Sequence, residues 1–528
     1  MSSTFSFFTS AFAVLALLSF VLFTYRLYFH PLANIPGPLG NKITGWAQTL
    51  VTQSGRRHVW LFELHQKYGP VVRLTPNTVS INTATALKDI YGSRKASVRK
   101  GQFYQAVQSA EGAPTTFSER NEALHATKRR LLSHAFSERA IQDSEQYVSA
   151  NINIWLNQLG AGPLSSNGWT AEKNVATWVN YLTFDILADL AYGRSFEMLT
   201  KKDMRFVAEL IPGATHGVYI VGWHPLTQFL RWFLYRTPIG AWLAGDIIKD
   251  MQRLTEVSGK FVAERRSLEM SGDNSSTPAR KDFFFHLFRG KDPETGQAFS
   301  DGELMSESNL LLVAGSDTTA TTLSACMFYL VRHPHVLQNL RHELESNFSS
   351  LGDIKYTGTR LSTLPYLRAV IDESLRLNPP VGSTLGRDVI GSGINIDDFY
   401  YPPGVSVGVP IYALHHNSDY FPDPHAFKPE RWIVNEKAGI TKEIVDRAQS
   451  AFCPFSIGQR GCIGKNLAYL ELSLAVARCV WRYDLEEIQG WGEKFAVGFA
   501  SSKEEYTTLD GFVAQKNGPV LRFRDRKG

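Results

Sequence analysis

Pro454-Phe455-Ser456-Ile457-Gly458-Gln459-Arg460-Gly461-Cys462-Ile463-Gly464 is the densest chemical signal in the chain. Its three glycines let the backbone adopt tight, positive-φ geometry and approach a bound group closely. Beyond Cys462, the residues Leu467, Leu470, Leu472, Leu474 and Val476 are apolar and helix-compatible, which places the thiol at or near a helix N-terminus. Free N–H groups and the positive dipole end there favour thiolate over thiol, and Arg460 adds a positive charge two residues earlier. Three readings are open at this point. One is a free cysteine buried beside a turn. A second is a phosphate loop, since Gly458 to Lys465 resembles GxxxxGK. Its glycine spacing is one residue too long, however, and Asn466 stands where Ser or Thr would hold magnesium. The third is a metal-ligating thiolate in a glycine-lined socket.

Working outward, the chain has 528 residues and only four cysteines, Cys326, Cys453, Cys462 and Cys479. None forms a CxxC pair, so neither a disulfide framework nor a zinc knuckle is indicated, and a special cysteine must act alone. The 55 basic and 50 acidic side chains leave +5, too slight and too dispersed for a nucleic-acid protein. With 44% hydrophobic and 20% charged residues the chain is neither disordered nor fibrous. Helical spacing dominates, as in Tyr181 to Leu190 and Leu304 to Val331, with strand-like stretches at Val71–Leu74, Val79–Ile81 and between Gly391 and Val409. The expected fold class is mainly α with a minor β subdomain. Ser271 to Lys281, which holds the sequon Asn274-Ser275-Ser276, reads as an exposed loop.

Three further motifs precede the cysteine. Glu373 and Arg376 are spaced i, i+3 on an amphipathic helix ended by Asn378-Pro379-Pro380 and can pair on one face. Downstream lies Phe427-Lys428-Pro429-Glu430-Arg431-Trp432. Ala314-Gly315-Ser316-Asp317-Thr318-Thr319 sits inside a long apolar helical run. There Thr318 can back-bond to the Ala314 carbonyl, and an acid is costly unless hydrated or paired. In His125-Ala126-Thr127-Lys128-Arg129-Arg130, His125 and Arg129 share a face, while Lys128 and Arg130 read as a solvated basic face.

Together, in this order, these segments resemble the cytochrome P-450 superfamily of haem-thiolate monooxygenases. The resemblance implies a cytochrome P-450 fold in which Cys462 is the iron ligand of haem b (iron protoporphyrin IX). It implies that Phe455, Gly458 and Gly464 shape the haem loop, and that Ala314 and Gly315 lie against the porphyrin. His125 (where many members carry Trp), Arg129, Arg387 and Arg460 would hold the propionates. Asp317 and Thr318 would be the catalytic acid–alcohol pair that manages proton delivery, and Glu373, Arg376 and Arg431 a buried structural triad. Electrons would come indirectly from NADPH through a separate NADPH-cytochrome reductase, with cytochrome b5 as an optional second donor. Lys128, Arg130 and Lys465 would offer that partner a basic patch. The implied reaction is hydroxylation or another oxidation of a hydrophobic small molecule in secondary metabolism. A haem-thiolate isomerase or dehydratase, a multi-step oxidase and a non-catalytic haem sensor are the alternatives. By the same analogy the substrate pocket draws on Phe103–Phe117, Leu312–Ala314, Val381–Leu385 and residues 500–503, with Ser383 and Thr384 available for hydrogen bonding.

The N-terminus sets location. Residues 1–25 carry no charge, and about 20 apolar residues suffice to cross a bilayer. A signal peptide cut after Ala13 would split this run, so an uncleaved anchor is expected. Arg26, Lys42, Arg56 and Arg57 follow it and put the body on the cytosolic side. Pro31, Pro36 and Pro38 predict a stiff, extended spacer. The expected organisation is therefore an anchor over 1–25, a hinge over 26–40 and a catalytic domain over 41–528. The protein would be single-pass in the endoplasmic reticulum membrane and in contact with membrane lipid. Gly217 to Tyr235, rich in Trp, Phe and Leu, reads either as a core helix pair or as a channel mouth dipping into lipid.

Overall fold

The computed structural model describes residues 2–107, 113–271, 280–358, 360–491 and 504–526. The sequon at Asn274 and the stretch 500–503 lie outside them, as do residues 108–112 of the expected pocket. Helices of ten residues or more are α1 (Ser2–Thr24), α2 (Arg57–Tyr68), α3 (Glu122–Ser133), α4 (Glu138–Gly160), α5 (Val175–Tyr192), α6 (Arg205–Gly222) and α7 (Thr227–Arg236). They continue with α8 (Pro238–Ser271), α9 (Asp301–Arg332), α10 (Pro334–Asn347), α11 (Pro365–Leu377), α12 (Lys442–Ala451) and α13 (Lys465–Arg482).

The long helix α9 is set by its first turn. Ser300 accepts the Glu303 N–H while the Glu303 carboxylate accepts the Ser300 N–H at 3.1 Å, a capping box that satisfies two otherwise orphaned donors. From Thr319 to Leu330 α9 is buried on all sides. It forms the spine of the core with α4, α5, α11 and α13. A Cβ at Gly315 would stand 2.8 Å from Leu187 Cδ1, so this glycine is what lets α9 approach α5.

The larger sheet contains β1 (Val71–Thr75), β2 (Thr78–Ile81), β3 (Val98–Lys100), β4 (Arg387–Val389) and β5 (Ser406–Gly408), in the order β1-β2-β5-β4-β3. Only the β2–β5 pair is parallel. A hairpin of β6 (Leu509–Gly511) and β7 (Val513–Gln515) lies near the C-terminus. The expected strands at 71–74 and 79–81 are therefore present, and the 391–409 region holds three short ones.

α1 is apolar and exposed, and one candidate membrane span covers Phe7–Phe29. The helical path runs past the last uncharged residue as a π-turn, Tyr25–Phe29. The proline segment after it differs from the free, extended spacer that was expected. Leu32 and Ile35 are buried, and the buried Arg73 guanidinium donates to the carbonyls of Arg26 (2.9 Å) and Leu32 (3.3 Å). The segment is fastened to β1 by these contacts and by the Arg73 N–H, which donates to the Pro36 carbonyl at 2.8 Å.

Candidate active site

Cys462 lies between a 3-10 turn, Gly458–Arg460, and α13, two residues before the helix cap at Gly464. Its N–H donates to the Phe455 carbonyl at 2.8 Å. Gly458 has φ +72°, and a Cβ there would fall 2.0 Å from the Tyr91 carbonyl oxygen, so no other residue fits. Cys462 is exposed while the other three cysteines are buried, yet protein surrounds it on nearly all sides. Its accessible face therefore opens on an interior chamber.

The electrostatics of the thiol differ from the sequence expectation. Burial pushes the Cys462 thiol up, and the Gly464 N–H, Arg129 and Lys465 offset this only in part. Desolvation outweighs the helix dipole. Arg460 does not serve the sulfur; its guanidinium donates to the Glu119 carbonyl at 2.7 Å. Burial therefore favours the neutral thiol, and a cation beside the sulfur would favour the thiolate.

Cationic groups crowd the same chamber. Arg129 donates to the Gly461 carbonyl at 2.7 Å, tying α3 to the cysteine loop. Arg387 is buried, donating to the Leu385 carbonyl at 3.0 Å and to the Tyr104 hydroxyl at 3.3 Å. Lys100 stands directly opposite Arg387 across the β3–β4 ladder, a like-charge pairing that is unfavourable by itself. Burial pushes Lys100 well down, reinforced by Arg387, Arg460 and Arg129. His125 is lowered to about 3 by burial and then by Arg460, Lys100, Arg129 and Arg387. Burial and Arg387 likewise bring Arg460 down to about 10. Such mutual repulsion is tolerable when an anion is shared among the groups.

Ala314 is exposed and Thr318 partly so, in a stretch of α9 where Ser316, Asp317 and Thr319 are buried. These two, one turn apart, form an accessible strip on an otherwise buried part of α9. The Thr318 hydroxyl donates back to the Ala314 carbonyl at 2.8 Å, and the Thr321 hydroxyl to that of Asp317 at 2.9 Å. The Asp317 carboxylate pairs through Oδ1 with Lys516 Nζ, both side chains being almost wholly buried, while Oδ2 has no hydrogen-bond partner among the described residues.

Beneath the cysteine loop, Glu373 accepts two bonds from Arg376 and one from Arg431, all at 2.9 Å. It also accepts the Lys428 N–H and the Trp432 indole N–H, each at 3.0 Å. Burial opposes ionisation of Glu373, but the charges of Arg376 and Arg431 outweigh it and hold its pKa below the usual range. Arg376 in turn donates to the carbonyls of His415 (2.9 Å) and Pro424 (2.7 Å), fixing the meander that leads to the loop.

A family model described as "Cytochrome P450" (cytochrome P-450) matches residues 35–499. The chain belongs to the cytochrome P-450 family. It is 35% identical over 97% of both chains to a cytochrome P-450 monooxygenase, apf7, of Gibberella fujikuroi. It is 34% identical to fscF of Fusarium equiseti, over 98% of this chain and 96% of that one. It is also 34% identical to a trichothecene C-15 hydroxylase of Fusarium sporotrichioides, over 92% and 94%. A crystal structure of a cytochrome P-450 haem domain superposes with a TM-score of 0.71, covering 90% of this chain and 94% of that one at 19% identity. The molecule thus has the cytochrome P-450 fold, and the protein is a haem-dependent P-450 monooxygenase, an oxidoreductase.

The residues present fit a haem. The loop offers an accessible sulfur, and Arg129, Arg387 and Arg460, with Lys100 and His125 beside them, form a donor set suited to the two propionates. Three P-450 residues lie outside the sequence reading. Lys100 and Lys516 act on partners far along the chain. Glu307, on α9, accepts the Thr116 N–H (2.6 Å) and hydroxyl (2.9 Å), and burial raises its pKa to about 7. No local motif marks any of them.

Three expectations are corrected. Lys128 is not on a solvated face but buried against Glu303, and Arg130 pairs with Asp292 at 2.8 Å and Glu294 at 3.0 Å. Ser383 is not free to donate, since its hydroxyl hydrogen goes to Asp510, and it remains available only as an acceptor. The neighbouring Thr384 hydroxyl is buried with no hydrogen-bond partner among the described residues.

Proposed function

We propose that the protein oxidises a hydrophobic small molecule of fungal secondary metabolism, drawing electrons from a separate NADPH-cytochrome reductase. The observation that carries this reading is the cluster of basic groups beside the cysteine loop, with Arg129 donating to the Gly461 carbonyl at 2.7 Å next to Cys462. Cys462 holds the iron of haem b. Lys100, His125, Arg129, Arg387 and Arg460 hold its propionates. When bound, the haem supplies the reductive activation of O₂ that puts one oxygen into substrate and releases the other as water. The protein's part is placement and proton traffic. Thr318 presents its hydroxyl to the chamber, and Asp317 passes protons towards it from the side of Lys516. An intact acid–alcohol pair favours oxidation over the isomerase alternative.

Substrate selection falls to an aromatic group above the chamber. Phe103 stacks on Trp223 at 5.2 Å and packs against Phe512 at 5.3 Å, and Tyr104 and Phe117 complete the wall. Thr384 is the hydrogen-bond donor for a substrate oxygen, which suits an apolar skeleton bearing few polar groups.

Residues 1–25 anchor the catalytic body of residues 41–528 in the endoplasmic reticulum membrane, with 26–40 as a packed connector. α7 and the start of α8 expose Leu226, Phe229, Trp232, Ile239, Trp242 and Leu243, a patch suited to lipid contact and to entry of apolar substrates. With Lys128 and Arg130 engaged internally, reductase docking falls to the surface groove lined by Arg368, Trp432, Phe455 and Lys465. The test is untargeted metabolite comparison of a host expressing the protein and a reductase against the reductase alone. A product heavier by one oxygen supports the proposal; a mass-neutral product points to the isomerase and contradicts it.

A further inference from the structure

Apart from the haem chamber, a second cluster of ligating side chains lies where the short helix Ile411–His415 meets the chain before β6. His416, His425 and Glu505 offer two ring nitrogens and a carboxylate oxygen within 4.8 Å of one another. His416 is 1% exposed and Glu505 3%, while His425 is half-buried and leaves one side of the cluster open to solvent. The Tyr412 ring stacks on His416 at 4.1 Å, and Phe62 closes the cluster edge-on to both histidines.

The hydrogen bonds fix the state of His416. Its Nδ1 lies 2.8 Å from the Tyr412 carbonyl, which can only accept, so Nδ1 carries a proton. In the neutral ring Nε2 then bears a lone pair. Nε2 sits 3.2 Å from Glu505 Oε1 but outside hydrogen-bond geometry, with no hydrogen-bond partner among the described residues. The Tyr412 hydroxyl donates to both Glu505 oxygens, at 2.7 and 2.8 Å, and orients the carboxylate towards the rings. Two buried acceptors facing each other repel unless positive charge lies between them. A backbone carbonyl fixing the far nitrogen of an imidazole and an outer hydroxyl steering a carboxylate are also the supports that metal ligands commonly have.

We propose that His416, His425 and Glu505 bind one zinc-like divalent cation, separate from the haem iron. Two imidazoles and one carboxylate are a zinc set, and they disfavour magnesium and calcium, which take oxygen ligands. Tetrahedral bonds of about 2.0–2.2 Å require the three side chains to close by roughly an ångström, with water as fourth ligand on the open side of His425. The cation would clasp the chain leading to β6 onto residues 415–425, whose carbonyls at His415 and Pro424 also receive Arg376. The competing occupant is a proton, giving an imidazolium–carboxylate pair.

The test uses the full-length, haem-loaded protein, stripped with a chelator and titrated with zinc sulfate. The expected result is one zinc per haem at micromolar or tighter Kd, a melting temperature that rises with zinc and falls with EDTA, and a zinc-edge absorption spectrum with two imidazole nitrogens. Glu505→Gln and His425→Ala should each weaken that binding at least tenfold while leaving the carbon monoxide spectrum unchanged. Should Glu505→Gln fail to fold, the half-buried His425 carries the comparison. No stoichiometric zinc in the wild type, or equal binding in the variants, would overturn the proposal in favour of the proton or of adventitious surface sites.

Discussion

A carboxylate with one oxygen on Lys516 and the other without a hydrogen-bond partner among the described residues persists inside a helix only while the ammonium stays beside it. Lys516→Met should therefore cost about 3–5 kcal/mol in denaturant unfolding, the usual penalty for stranding one member of a buried pair. Adding Asp317→Asn should restore most of the loss; a double variant as unstable as the single one would refute the pairing. Gly458→Ala meets a backbone oxygen that cannot move without displacing Tyr91, so purified protein should carry far less haem than wild type at equal helicity. His65 gives the acid limb of stability. Burial lowers its pKa to about 4, against the Gly69 carbonyl it contacts at 2.9 Å. Its folded pKa is below the unfolded value of about 6.5, so its contribution is complete above pH 6.5 and drains away as pH falls towards 4. The loss is roughly 3 kcal/mol. His65→Gln should flatten the fall in unfolding free energy over that window, and an unchanged slope would contradict the assignment.

The amphipathic helices divide into those whose apolar face meets the core and those that keep large apolar side chains exposed. α11 is of the first kind, α7 and the first turns of α8 of the second. Removal of residues 1–29 should leave a body that still sediments with liposomes, and Trp232→Ser with Trp242→Ser should abolish that binding. A truncated body with no liposome affinity would instead make this a face for another protein. Local patterns made α5, α9 and the strands at 71–81 readable from sequence, because their periodicity or alternation is complete within a few turns. The face of α3 was not readable. Lys128 looks solvated by composition, and only the distant Glu303 makes its burial affordable. The three-residue strands β3 and β4 are likewise too short to signal themselves and pair with each other across about 290 residues.

Chemistry confined to one loop or one turn was visible in the sequence: the Cys462 socket, the Glu373–Arg376 spacing, the Asp317–Thr318 pair. Chemistry assembled from afar was not. Lys516 reaches Asp317 across 199 positions, and Lys100 becomes part of the basic cluster only through its register with Arg387. The direction of the Cys462 pKa was misjudged for the same reason, since a helix N-terminus is local but desolvation comes from the whole surrounding fold. Under the proposed function the loop and the basic cluster serve one group, a Cys462 thiolate that iron would hold. Reduced protein treated with carbon monoxide tests this most directly. Wild type should show the red-shifted, thiolate-type Soret band, and Cys462→Ala should lack it. A wild-type spectrum without that band, or the same band in both proteins, would contradict the account.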